Sequence, residues 1–173
     1  MKNRTYLCSC IVLLVIAGIA YWLLVGPSVG NFISSVKSSP LKLYEGLPHQ
    51  GYERELLLKE KELKATRDIG RYPFYEQPFA AEEADLARIR EILSQRGTFK
   101  MWSGEKKCGG FHPDYAVVVV DGNSEKAALI CFGCNELKLV DGSSEKRFDM
   151  NAPALKTVLQ KYRVQRPTAQ HGK

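Results

Sequence analysis

The sequence predicts an α+β domain attached to an N-terminal transmembrane helix. Three observations carry this expectation. Tyr6 to Val25 is twenty residues without a charge. Strand signals follow one another between residues 98 and 150, separated by turn residues. Two apolar stripes at helical spacing flank those strands, one in Glu82–Gln95 and one after Asn151.

The first segment sets the topology. Twenty residues rise about 30 Å as a helix, the thickness of a bilayer's hydrocarbon core. Tyr21 and Trp22 lie near its far end, where amphipathic rings favour the interface, and Pro27 stops the helix. Lys2 and Arg4 precede it and favour a cytoplasmic N-terminus, which puts the domain outside the cytoplasm, in a periplasmic or extracellular space. Gly18-Ile19-Ala20 has the small residues of a signal-peptide cleavage site. Cleavage there would expose Tyr21-Trp22-Leu23-Leu24-Val25 at a new terminus, so an uncleaved signal anchor is the better reading. Cys8 and Cys10 read as small apolar side chains within the span.

Composition supports one packed domain beyond the anchor. Of the 173 residues, 45% are hydrophobic and 25% charged, so the chain can bury a core. The net charge is +6, and Lys2 and Arg4 leave +4 for the rest, spread without a run or stripe. Such a balance fits the face of an anionic bilayer or simple solubility better than a nucleic-acid groove, and no nucleic-acid-binding motif is present. The division expected is residues 1–25 as cytoplasmic stub and anchor, 26–40 as a Ser/Gly/Pro-rich linker, 41–163 as the domain, and 164–173 as a flexible tail.

Within the domain, Leu41-Lys42-Leu43-Tyr44 alternates as a short strand and Glu45–His49 turns. Glu53–Thr66 is rich in helix formers with Glu and Lys at pairing distances. Asp68–Phe79 carries Gly70, Pro73, Pro78 and four aromatics, and reads as a packed irregular segment or an edge strand. Glu82, Glu83 and Asp85 load the first turn of the next helix; Leu86, Ile89, Ile92 and Leu93 form its stripe, and Gly97 is placed to end it. Strands are expected at Thr98–Trp102, Tyr115–Asp121, Ala127–Cys131, Glu136–Val140 and Lys146–Met150, forming an antiparallel meander. Val117–Val120 is unbroken and β-branched, so its strand should be central and covered on both faces. Asn151 should cap a last helix whose Leu155, Val158, Leu159 and Tyr162 dock on the sheet.

Chemistry-bearing residues gather in one region. A hairpin turning near Asn123 pairs residues whose numbers sum to about 246, which sets Tyr115 against Cys131 and His112 near Cys134. Cys108 is one short loop away. Three readings stay open: a disulfide, reasonable outside the cytoplasm; a structural zinc held by Cys108, His112, Cys131 and Cys134; or buried free cysteines beside a hydrogen-bonded histidine. Gly133 and Asn135 would let Cys131–Cys134 form a tight knuckle, since both tolerate positive φ. A thioredoxin-like role lacks the helix N-terminus that lowers the first thiol's pKa. Glu45, His49, Glu53, His112 and Asp114 are candidate acid/base or metal-assisted groups. No P-loop, Gly-x-Ser-x-Gly or His-Glu-x-x-His motif accompanies them.

Three segments carry a resemblance: Leu43-Tyr44-Glu45-Gly46-Leu47-Pro48-His49, Cys108-Gly109-Gly110-Phe111-His112-Pro113-Asp114-Tyr115, and Leu129-Ile130-Cys131-Phe132-Gly133-Cys134-Asn135-Glu136. Together they resemble a family of uncharacterised bacterial exported or membrane-anchored proteins. The resemblance implies a bacterial source and attention to the Cys/His positions, and no catalytic residue. The expected function is a non-enzymatic binding or structural module of the envelope with a Cys/His-stabilised hairpin end, whose expected partners are the membrane, through its anchor, and an envelope protein. The rival expectation is a hydrolase using His112 and Asp114, with His49 nearby.

Overall fold

A computed structural model of the chain describes residues 28–106 and 109–167. The expected anchor at Tyr6–Val25 lies outside them. Among the described residues no helix is long and apolar enough to cross a membrane. The domain is α+β, an antiparallel sheet flanked by helices.

The first element is a helix over residues 28–38 (α1). This stretch was expected to be a tether, and the difference has a plain cause. Val29, Phe32, Ile33 and Val36 recur at helical spacing and are all buried, so four apolar side chains among serines and glycines suffice to dock it. The domain therefore begins before residue 41. Next come β1 (Leu41–Glu45), α2 (Arg54–Leu63), the hairpin β2 (Thr66–Ile69) and β3 (Tyr72–Tyr75), and α3 (Glu83–Leu93). A short 3-10 turn, Arg96–Thr98, contains Gly97 and leads into β4 (Phe99–Met101). The meander β5 (Tyr115–Asp121), β6 (Ser124–Cys131), β7 (Glu136–Asp141) and β8 (Ser144–Met150) follows, then α4 (Pro153–Leu159).

Six strands form one antiparallel sheet in the order β1-β5-β6-β7-β8-β4. The β5–β6 and β7–β8 hairpins close on two-residue turns, with Gly122 and Gly142 at φ +60° and +57°, conformations glycine reaches without strain. β2 and β3 form a separate two-stranded ribbon. The segment expected to be irregular or an edge strand thus supplies one strand of a hairpin that turns at Gly70.

Both faces of the large sheet are covered. On one face Val117, Val119, Ile130, Leu137 and Leu139 pack with α1, α3 and α4 through Val36, Ile89, Leu93, Leu155 and Leu159. On the other, Ala116, Val118, Ala127 and Leu129 meet Ile69 and Phe74 of the small ribbon. The unbroken Val117–Val120 run follows from this arrangement. α2 adds a small cluster of Leu47, Leu57 and Tyr75. The last helix starts at Pro153 after Ala152, not from an Asn151 side-chain cap. Asn151 instead donates its backbone N–H to Thr98 O at 3.0 Å.

Candidate functional site at one end of the sheet

The described parts of the three segments that carry the resemblance meet in space. β1 ends at Glu45 beside the start of β5 at Tyr115, which lies beside the end of β6. The β5–β6 register pairs Tyr115 with Ile130, one residue from the pairing expected. Cys131 consequently lies across from Glu136 on β7.

Close backbone approach joins the first two segments. Gly46 N–H donates to Asp114 O at 2.8 Å. A Cβ on Gly46 would fall 2.0 Å from the Pro113 carbonyl oxygen, so only glycine fits without displacing backbone. Asp114 in turn receives the Phe132 N–H at 2.8 Å, which ties the second segment to the third.

The ionisable groups are engaged in holding chain. Glu45 is 1% exposed. Its carboxylate accepts the backbone N–H groups of Val164 (3.1 Å), Gln165 (2.7 Å) and Arg166 (3.1 Å). Residues 164–166, expected to belong to a flexible tail, are seated by these bonds. The Arg166 guanidinium pairs with Glu53 and lies 3.5 Å from Asp114 Oδ1. His49 Nδ1 accepts N–H bonds from Gly51 and Tyr52, and the His49 N–H donates to Glu53 at 2.7 Å. This organises the turn that enters α2.

Electrostatics follow from burial and these partners. Burial holds the His112 imidazole at a pKa of about 4, with His49 and Arg166 adding repulsion. Its Nε2 is 2.8 Å from the Leu47 carbonyl oxygen. A carbonyl only accepts, so Nε2 carries the proton and donates. The His112 ring lies against His49, 4.6 Å between centroids. Burial raises the Asp114 pKa against the pull of the Phe132 N–H and Arg166. Burial also pushes the Glu53 carboxyl up, but the His49 N–H and Arg166 outweigh it and leave it low.

The predicted metal set is placed as follows. Cys131 is buried and free. Its sulfur accepts the Cys134 N–H at 3.3 Å and the backbone N–H of His112, and burial raises its pKa. Cys134 Sγ lies 3.3 Å from Gly110 O. Cys108 is outside the described residues. Among the described residues no three His, Cys, Asp or Glu side chains are placed to hold a metal ion together. The Cys131–Cys134 knuckle does use a left-handed residue, Asn135 at φ +53°.

Among the cavities adjoining this region, two hold candidate groups of the sheet end. One of about 400 Å³ is lined by Glu45, Asp114, Tyr115, Phe132, Lys156 and Arg163, with Arg166 beside them. The other, about 750 Å³, includes His49, His112, Leu57, Tyr72 and Phe111. Glu45, His49, Glu53, His112 and Asp114 are therefore brought together, but His112 and Asp114 line different cavities. Sequence reasoning missed Lys156, Arg163 and Arg166. They sit on or beyond a terminal helix with no motif around them, and only the fold shows that the chain returns to β1.

No protein-family model, no curated protein and no solved structure matches the chain.

Proposed function

We propose that the chain is a membrane-anchored extracytoplasmic binding module, with Tyr6–Val25 as anchor, the N-terminus cytoplasmic, and the polar end of the sheet as the binding region. The observation that carries binding over hydrolysis is the separation of His112 and Asp114 into two cavities. Each also holds backbone: His112 the Leu47 carbonyl, Asp114 the Phe132 amide. A hydrolytic pair would need both groups within reach of one substrate atom.

A disulfide between Cys108 and Cys134 belongs to this reading. Cys134 Sγ is beside Gly110 O, two residues along from Cys108. Cys131 is the thiol left over.

Carbonate extraction of membranes holding the full chain tests the anchor; retention in the pellet is expected, and release into the supernatant would overturn it. Peptide mapping with and without reductant tests the bridge. A reducible peptide pair containing Cys108 and Cys134, with Cys131 alkylated without reduction, is expected. Stoichiometric zinc with all three thiols reduced would establish the metal reading instead.

A further inference from the structure

At the 400 Å³ cavity two cations outside ion-pair distance of any carboxylate among the described residues stand next to aromatic surface. Lys156 and Arg163 are exposed at its rim, and neither pairs with a carboxylate among the described residues. The two carboxylates that line it are already engaged. Glu45 holds three backbone N–H groups, and Asp114 holds the Phe132 N–H beside Arg166. Arg166 has a 10% exposed side chain whose buried Nε has no hydrogen-bond partner among the described residues. Its terminal guanidinium nitrogens are taken by Glu53 and Asp114, which leaves Lys156 and Arg163 as the cations open to a ligand. Phe132 and Tyr115 supply the apolar surface, and Lys156 Nζ lies 6.0 Å from the Phe132 ring centroid.

From this geometry we infer that the cavity binds a monocarboxylate carried on an apolar body, of the size of an aromatic acid or the last two residues of a peptide. Arg163 and Lys156 receive the carboxylate, and Phe132 with Tyr115 contacts the apolar part. The volume is in the range of small-molecule sites. Nearby Asp114 and Glu45 disfavour a dianion, because each added charge meets two fixed carboxylates at short range. The inference rests on reading this end of the sheet as a binding region, and it names what is bound.

The test is calorimetric titration of the full chain in nanodiscs with 3-phenylpropionate, N-acetyl-alanyl-phenylalanine, the amide of each, and inorganic phosphate. Saturable binding of either acid, with the amides at least about tenfold weaker, is the expected result. A preference for the free acid or for the peptide acid tells which source supplies the carboxylate. Lys156→Gln and Arg163→Gln should each weaken the acid about tenfold. Both side chains are exposed, so an unchanged unfolding midpoint is expected and is measured alongside. Binding of amide and acid alike, phosphate as tight as the acids, no saturable binding of either acid, or affinity indifferent to both substitutions would overturn the assignment. Carbonate extraction of membranes holding the full chain is scored separately. An anchored protein that ignores the acids sinks the cavity alone, and a washed-free protein that binds them sinks the anchor alone.

Discussion

Single residues at the sheet end have consequences out of proportion to their size. Gly46→Ala should destabilise the domain by about 1–3 kcal/mol, because the new methyl meets the Pro113 carbonyl rather than a side chain that can swing away. Chemical denaturation of the variant measures this. Glu45→Gln removes the charge behind three N–H bonds and should cost about 1.5–3 kcal/mol. Hydrogen exchange reads it locally, as lost protection of the Val164–Arg166 amides. His112 makes stability depend on pH. Its folded pKa of about 4 lies below the ordinary 6.5, so the unfolded chain takes up the proton first on acidification. Stability contributed by the neutral imidazole is complete above about pH 6.5 and is lost as pH falls towards 4. The loss reaches up to about 3 kcal/mol, since each pKa unit is worth about 1.4 kcal/mol. Asp114, raised by burial, works in the opposite direction at the acid end. His112→Gln keeps a donor for Leu47 and should flatten the wild-type decline in unfolding free energy between pH 6.5 and 4. An identical decline in both proteins would exclude His112 as its source.

At the scale of elements, the meander was plain in the sequence because its signals are local. Gly122-Asn123 and Gly142-Ser143 separate runs of β-branched and aliphatic residues, and β5 begins and ends where expected. Register was legible to within one residue because a short turn fixes the pairing. Two elements were not legible. α1 hides its stripe among residues of linker composition, and only the exposed face of the sheet it covers reveals the need for it. The β2–β3 ribbon contains Pro73, which argues against a strand, yet a two-stranded ribbon is all edge and tolerates it. The seating of residues 164–166 was equally silent, since a carboxylate binding backbone N–H groups asks nothing of the side chains it binds. Phe32→Ala tests whether α1 is integral. Phe32 is 3% exposed and meets the Phe99 ring edge-on, so truncation should cost about 3–5 kcal/mol in thermal or denaturant unfolding. A change under about 1 kcal/mol would show α1 to be peripheral.

For the whole molecule, the sheet separates two environments. Helices bury one face, a small ribbon the other, and every ionisable group of the candidate site lies at the end where β1, β5 and β6 meet the returning chain. The candidate groups could be named from the sequence, but their partners could not. Arg166 stands 121 residues from Glu45, a separation only the folded topology closes. The same arrangement brings Glu45, His49, Glu53, His112 and Asp114 to one end of the sheet, where loop backbone and Arg166 take up their hydrogen bonds. Their lone pairs and protons are committed to loops.

The helix over residues 28–38 has a mechanical consequence for an anchored protein. A free coil of 15 residues would let the domain wander about 20 Å from the bilayer. With those residues wound into the core, two residues separate Val25 from the packed helix. Under the proposed anchoring at Tyr6–Val25, so short a connection would keep the domain close to the lipid surface and restrict its tumbling.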